Sequence, residues 1–156
     1  MSLESVRAHL DTAAPDIDII ETEASSATVE EAANAHNVAP AQIAKTLSFS
    51  VRDDVFLLVA RGDARIDNKK AKAAFGGKVK MLPLEKVEAI TGHPVGGVCP
   101  FGLANPIRVY CDESLKAFDE VVPAAGSRNA AIRIAPERLA EITGADWVDV
   151  CAEPAA

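Results

Sequence analysis

At 156 residues, with 49% hydrophobic and 25% charged residues, the chain has the composition of one folded domain over 1–156, not of a disordered segment. A net charge of −7 disfavours DNA as a partner, and three widely spaced cysteines without a C-x-x-C pair predict reduced thiols in a cytoplasmic protein. The opening MSLESVRAHLDTAAP has no apolar run of signal-peptide length, and the uncharged stretch 89–107 holds three prolines and four glycines, so no membrane span is expected.

Along the chain, helical and strand patterns alternate. Ser2 is expected to cap a first helix striped by Leu3, Val6 and Leu10, and IDII (17–20) reads as a short strand. TVEEAANAH (28–36) opens with Thr28 and Glu31 at capping-box spacing and predicts a second helix. A helical turn from Pro40 leads into Lys45, followed by TLSFSV and VFLLVA, two strands joined at RDD as a hairpin. Asp67 should cap a basic helix ending at Gly76-Gly77. VKML reads as a strand, and Pro83 starts a helix that runs to Gly92. Strands are expected near 107–111, 119–122 and 130–134, then a helix over 136–143 and a closing strand at WVDV. Hairpins mixed with helices predict a mixed α/β (α+β) fold, not a doubly wound parallel sheet.

Two features stand apart from this scaffold. Between Arg61 and Lys80, seven basic residues face only Asp63 and Asp67, a local +5 on a chain whose remainder carries −12. Such a stripe can dock a phosphate backbone, and it can equally be a solvated helix face. The second feature is TGHPVGGVCPFG (91–102). It begins where a helix ends, so the phosphate-binding logic of a helix N-terminus does not apply, and the sequence contains no G-x-x-x-x-G-K-[ST]. The Gly96-Gly97 pair, stiffened by Pro94, Pro100 and Pro106, can offer backbone N–H groups to an acyl oxygen or can form a tight connector.

Cys99 with His93 six residues away raises a thiol nucleophile, but a catalytic thiolate needs a base or a helix N-terminus beside it, which the spacing alone does not supply. A zinc site needs further ligands at recognisable spacing, and neither His9 nor His36 provides them, so no metal is expected.

Four segments in order, IAKTLSF (43–49), RIDNKKAKAAFG (65–76), TGHPVGGVCPFG (91–102) and AAGSRNAAIRIAPERLAEITGADWVDV (124–150), resemble the YbaK/ProX family of aminoacyl-tRNA deacylases. That domain is also inserted in bacterial prolyl-tRNA synthetases. The resemblance implies a mixed, barrel-like sheet surrounded by helices. The implied activity is hydrolysis of the ester between a wrongly attached amino acid and the 3′ end of a tRNA. Lys45 matches the family's essential lysine, which holds the terminal phosphate and organises the substrate without acting as a nucleophile; an ammonium suits a phosphate as a compact charge.

By the same resemblance, the Gly96 and Gly97 backbone grips the aminoacyl end and positions the attacking water, with His93 and Pro94 beside it. Gly126 and Ser127 match a second glycine loop on the pocket wall, where Gly-Ser-Arg replaces the family's two glycines or glycine-arginine step. The tRNA's own ribose hydroxyl is expected to assist, which accounts for the missing side-chain base. Relatives carry serine, threonine or proline at the position of Cys99, which turns the loop's reading toward a backbone pocket.

The expectation is therefore a deacylase acting in trans without a cofactor, on the acceptor end of an aminoacyl-tRNA and in company with an aminoacyl-tRNA synthetase. Arg65, Lys69, Lys70 and Lys72 are expected to meet the acceptor stem. Two alternatives are a non-catalytic tRNA- or synthetase-associated module of the same fold and a small-ester hydrolase using Cys99.

Overall fold

The computed structural model describes residues 2–152. Helix α1 (Ser2–Ala13) buries Val6 and Leu10, as its stripe requires. Ser2 lies within the first turn, not ahead of it, and its hydroxyl donates to the Gly126 carbonyl. The expected first strand over 17–20 keeps only Ile20: β1 is Ile20–Glu21, paired antiparallel with Ala130–Ala131. Helix α2 (Val29–His36) is capped by Thr28, which accepts from the Glu31 N–H at 3.1 Å. The capping box stays half-made, because the Glu31 carboxylate accepts from Ser25 Oγ instead.

A single 3₁₀ turn, Pro40–Gln42, feeds directly into β2 (Ile43–Val51), which forms the expected hairpin with β3 (Asp54–Arg61). β2 starts three residues before the predicted Thr46 because Ile43 and Ala44 find a parallel partner in Val122 and Pro123. Lys45 is therefore a strand residue. Asp67 caps α3 (Asn68–Phe75) by accepting from Lys69 and Lys70 N–H groups at 3.0 and 3.1 Å. Then follow β4 (Val79–Met81), α4 (Leu84–Thr91), β5 (Arg108–Asp112), a 3₁₀ turn (Glu113–Ala117), β6 (Val122–Pro123), β7 (Ala130–Ala131), α5 (Pro136–Thr143) and β8 (Asp146–Val148).

The main sheet runs β4-β2-β3-β5-β8, with β6 also on β2. Its β3–β5 and β5–β8 pairs are parallel and its β2–β3 and β2–β4 pairs antiparallel, so the sheet is mixed as predicted. Bridges at Val121–Ile134 and Ala124–Ala131 carry the pairing on from β6 to the small β1–β7 sheet, giving a barrel-like course.

Alternation along the hairpin gives each face its own core. Ala44, Leu57 and Val59 pack with Val6, Leu10, Phe101 and Leu139 on one face. Phe49, Phe56 and Leu58 pack with Ala71 of α3 on the other. Fully buried leucines such as Leu57, Leu58 and Leu139 each contribute about 1.5–3 kcal/mol through removal from water. No helix among the described residues is long and apolar enough to cross a membrane.

Candidate active site

One edge of β2 is covered by β3, and β6 and β4 share the other. β6 takes Ile43–Ala44 and β4 takes Phe49–Val51, so the edge lies open between them. A cavity of about 200 Å³ occupies that gap. Its walls include Ala27 and Val29 before and within α2, Thr46 and Ser48 of β2, and Gly96 and Val98 of the glycine-rich loop. Among the described residues that line it, Lys45 is the only titratable one.

Successive β2 side chains alternate across the sheet, so Lys45 and Thr46 leave the strand on opposite faces. The Lys45 ammonium reaches the loop after β3, donating to the Ala64 carbonyl at 2.5 Å. Burial lowers its pKa, and the nearby Asp63 carboxylate opposes that shift. Ala64 also lines a second, larger and more polar cavity of about 790 Å³, walled by Arg61, Asp63, Arg65, Asp112 and Ser114. Lys45 thus stands where the two cavities approach each other. On the other face, Thr46 Oγ1 is buried without a hydrogen-bond partner.

The two glycine segments interlock. Gly97 N–H donates to the Pro94 carbonyl at 2.9 Å, and its own carbonyl accepts from Gly126 N–H at 3.1 Å. A β-carbon on Gly97 would lie 2.8 Å from the Ser127 backbone nitrogen, so only hydrogen fits between the loops. Arg128 Nε donates to the Val95 carbonyl at 3.1 Å and completes the joint. Gly96, at φ 95, is one of the residues lining the cavity, whereas Gly97, His93, Pro94, Gly126 and Ser127 are not among them. The glycine pair therefore divides its work: Gly96 borders the cavity and Gly97 permits the backbone contact that fixes it.

His93 and Cys99 are both fully buried, with Cys99 Sγ 3.6 Å from His93 Nε2. Nε2 also lies 2.7 Å from the Phe101 carbonyl, an atom that can only accept, so Nε2 carries the ring hydrogen. Burial pushes the Cys99 thiol up to about 12, which leaves it protonated. The pair has the spacing of a dyad without its chemistry. His9 plays an unforeseen part: its Nδ1 accepts from Gly102 N–H at 2.8 Å, tying α1 to the end of the loop.

The basic stripe is not uniform. Arg65, Lys69 and Lys72 are exposed, but Lys70 Nζ approaches Asp149 at 3.3 Å and the Cys151 carbonyl at 3.1 Å. Arg61 forks onto Asp63, with Nη2 donating at 2.8 Å. Sequence proximity had grouped these cations, and tertiary contacts separate them. Thr46, Met81 and Leu84 were not read from the sequence as cavity residues; once Lys45 is known to be a strand residue, alternation puts Thr46 on the opposite face.

Residues 23–142 match the aminoacyl-tRNA editing domain, a span that contains every residue lining the smaller cavity. The chain is 52% identical over 153 residues to the uncharacterized protein YwhH of Bacillus subtilis, covering 97% of this chain and 98% of that protein. It is 30% identical over 123 residues to EbsC of Enterococcus faecalis, provisionally named a Cys-tRNA(Pro)/Cys-tRNA(Cys) deacylase, covering 78% of this chain and 75% of EbsC. Against the proline–tRNA ligase of Desulforamulus reducens it is 33% identical over 113 residues, 71% of this chain and 20% of the ligase. A crystal structure provisionally assigned as a trans-editing enzyme for prolyl tRNA synthetase superposes with a TM-score of 0.89 at 33% identity, covering 97% of this chain and 98% of that one.

Proposed function

The chain belongs to the aminoacyl-tRNA editing domain family, and on that premise we propose that it is a hydrolase acting in trans on mischarged aminoacyl-tRNA. The observation that carries this reading is the cavity at the open edge of β2, lined by both Lys45 and Gly96. The aminoacyl group enters the cavity. Lys45 exchanges its bond to the Ala64 carbonyl for the terminal phosphate, as a point charge. The Gly96 backbone orients the ester carbonyl.

Water adds to that carbonyl, the bond to the ribose oxygen breaks, and the amino acid leaves as its carboxylate. One proton of the attacking water passes to the departing ribose oxygen, and the second is released to solvent as the product acid ionises. Among the described residues, no histidine, cysteine or carboxylate side chain lines the cavity. The neighbouring ribose hydroxyl is therefore the group suited to relay the proton. The acceptor end of the tRNA is the substrate, a synthetase is its natural source, and the reaction needs no cofactor.

A deacylation panel tests the reading, using prolyl-, alanyl- and other tRNAs charged with correct and incorrect amino acids. At least one mischarged tRNA should be hydrolysed. Lys45→Ala should lower kcat/KM on it by at least about 100-fold. Stability should change by only about 1 kcal/mol, since Nζ makes one hydrogen bond in the free protein. Near wild-type turnover by Lys45→Ala, or hydrolysis of no charged tRNA, refutes the proposal.

A further inference from the structure

We infer that the exposed apolar rim of the cavity, formed by Met81, Leu84 and Val95, is the seat of the nucleobase at the 3′ end of the acceptor strand. This rests on the reading of the chain as an aminoacyl-tRNA deacylase. Single exposed apolar side chains are ordinary on protein surfaces, but a convergent group beside a cavity is not. Met81, Leu84 and Val95 are 60%, 68% and 40% exposed, and they are the large hydrophobic side chains left exposed among the described residues. All three line the same cavity.

They come from separate parts of the chain, each held in place. Met81 ends β4 opposite Phe49, Leu84 begins α4, and the Val95 carbonyl is gripped by Arg128. Nothing in the local sequence requires an apolar residue at any of these exposed positions, since none of the three fills the core.

Volume decides what they face. An apolar cavity of ~150 Å³ accommodates a benzene-sized guest. At about 200 Å³, the cavity has room for an amino-acid side chain with its ester, not for a nucleoside as well. The ester joins the aminoacyl group directly to the terminal ribose, so filling the cavity fixes that ribose at the mouth. Its base then lies within one nucleoside's length of the opening, where the apolar rim stands. A flat base can cover three aliphatic or thioether side chains without hydrogen-bond readout, and sulfur makes favourable contacts with aromatic rings. The seat thus adds affinity for the terminal nucleoside while the cavity selects the acyl group.

The experiment uses two charged acceptor-stem RNAs that differ in one group: one ends in adenosine, the other in an abasic ribose carrying the same aminoacyl ester. The wild-type protein should prefer the adenosine-ended RNA by about tenfold in kcat/KM. Met81→Ser/Leu84→Ser should bring that ratio to about one, whereas Met81→Leu should keep it. Because the readout is a ratio within one protein, a general loss of stability does not imitate the effect. Unchanged preference in the double variant overturns the seat while leaving the deacylase reading intact. So does a change in oligomeric state on sedimentation with the preference retained, which assigns the rim to a second copy of the chain. Hydrolysis of neither RNA by the wild-type protein overturns both.

Discussion

Cys99 Sγ lies 3.6 Å from His93 Nε2, yet the ring hydrogen at that nitrogen is directed to the Phe101 carbonyl. The thiol also donates to Phe101 O, at 3.7 Å, and burial pushes it up to about 12. Cys99→Ser should therefore retain activity within a few-fold of wild type. All three cysteines are buried, so the native protein should resist iodoacetamide at pH 8 and react on unfolding. A thousandfold loss in Cys99→Ser would restore the nucleophile.

Burial lowers the His93 pKa from its ordinary 6.5, partly offset by donation to Phe101 O, and His36 is lowered for the same first cause. The unfolded chain then binds protons near pH 6.5 that the folded chain refuses. Stability should be full above that pH and fall as pH drops below it. His93→Gln should flatten part of this slope in urea unfolding measured from pH 7.5 to 5, leaving the His36 part. A slope identical to wild type contradicts the assignment.

Gly96 and Gly97 should fail differently on mutation. A β-carbon on Gly97 meets the Ser127 backbone at 2.8–2.9 Å, where relief requires moving a whole loop. Gly97→Ala should cost about 1–3 kcal/mol, read as a lower urea midpoint. At Gly96 the β-carbon meets Ala27 Cβ at 2.9 Å, at a φ of 95 that L side chains rarely adopt. Gly96→Ala should lower kcat/KM at least tenfold even at temperatures where the variant remains folded. Wild-type activity in Gly96→Ala removes that residue from the site.

Thr46 Oγ1 is a buried hydroxyl without a partner. Valine keeps the branched shape and removes the unmet hydrogen bond. Thr46→Val should raise stability by about 1 kcal/mol, or Tm by about 2–4 °C for a chain of this size. A loss of stability would mean that the hydroxyl is bonded in the folded protein.

Lys69 and Lys72 are exposed, whereas Lys70 is committed to Asp149 and the Cys151 carbonyl. Lys69→Ala/Lys72→Ala should raise KM for charged tRNA and reduce the slope of log affinity against log salt by about 1–2, with little change at saturation. Lys70→Ala should show its effect mainly as a lower Tm. An unchanged salt slope in the double variant returns α3 to a solvated face.

The order of elements, the β2–β3 hairpin, the Asp67 cap and the family could all be read directly from the residues. These depend on signals within a few residues of one another: alternation, a capping side chain, a glycine after a helix, and motifs in order. Pairing that joins distant segments was not legible. β1 falls at Ile20–Glu21, one residue beyond the expected 17–20 and only two long, because its partner is the two-residue Ala130–Ala131, and β2 lengthened because Val122 and Pro123 lie beside its start. The same non-local contacts made the site. Only the tertiary structure opened the edge of β2 between β6 and β4, sent Lys45 to Ala64 and Thr46 to the other face, and sealed His93 and Cys99 away from the cavity. A motif names which residues a family uses at a site; which atoms line a cavity depends on what distant backbone fills the space around them, and local periodicity carries no record of that.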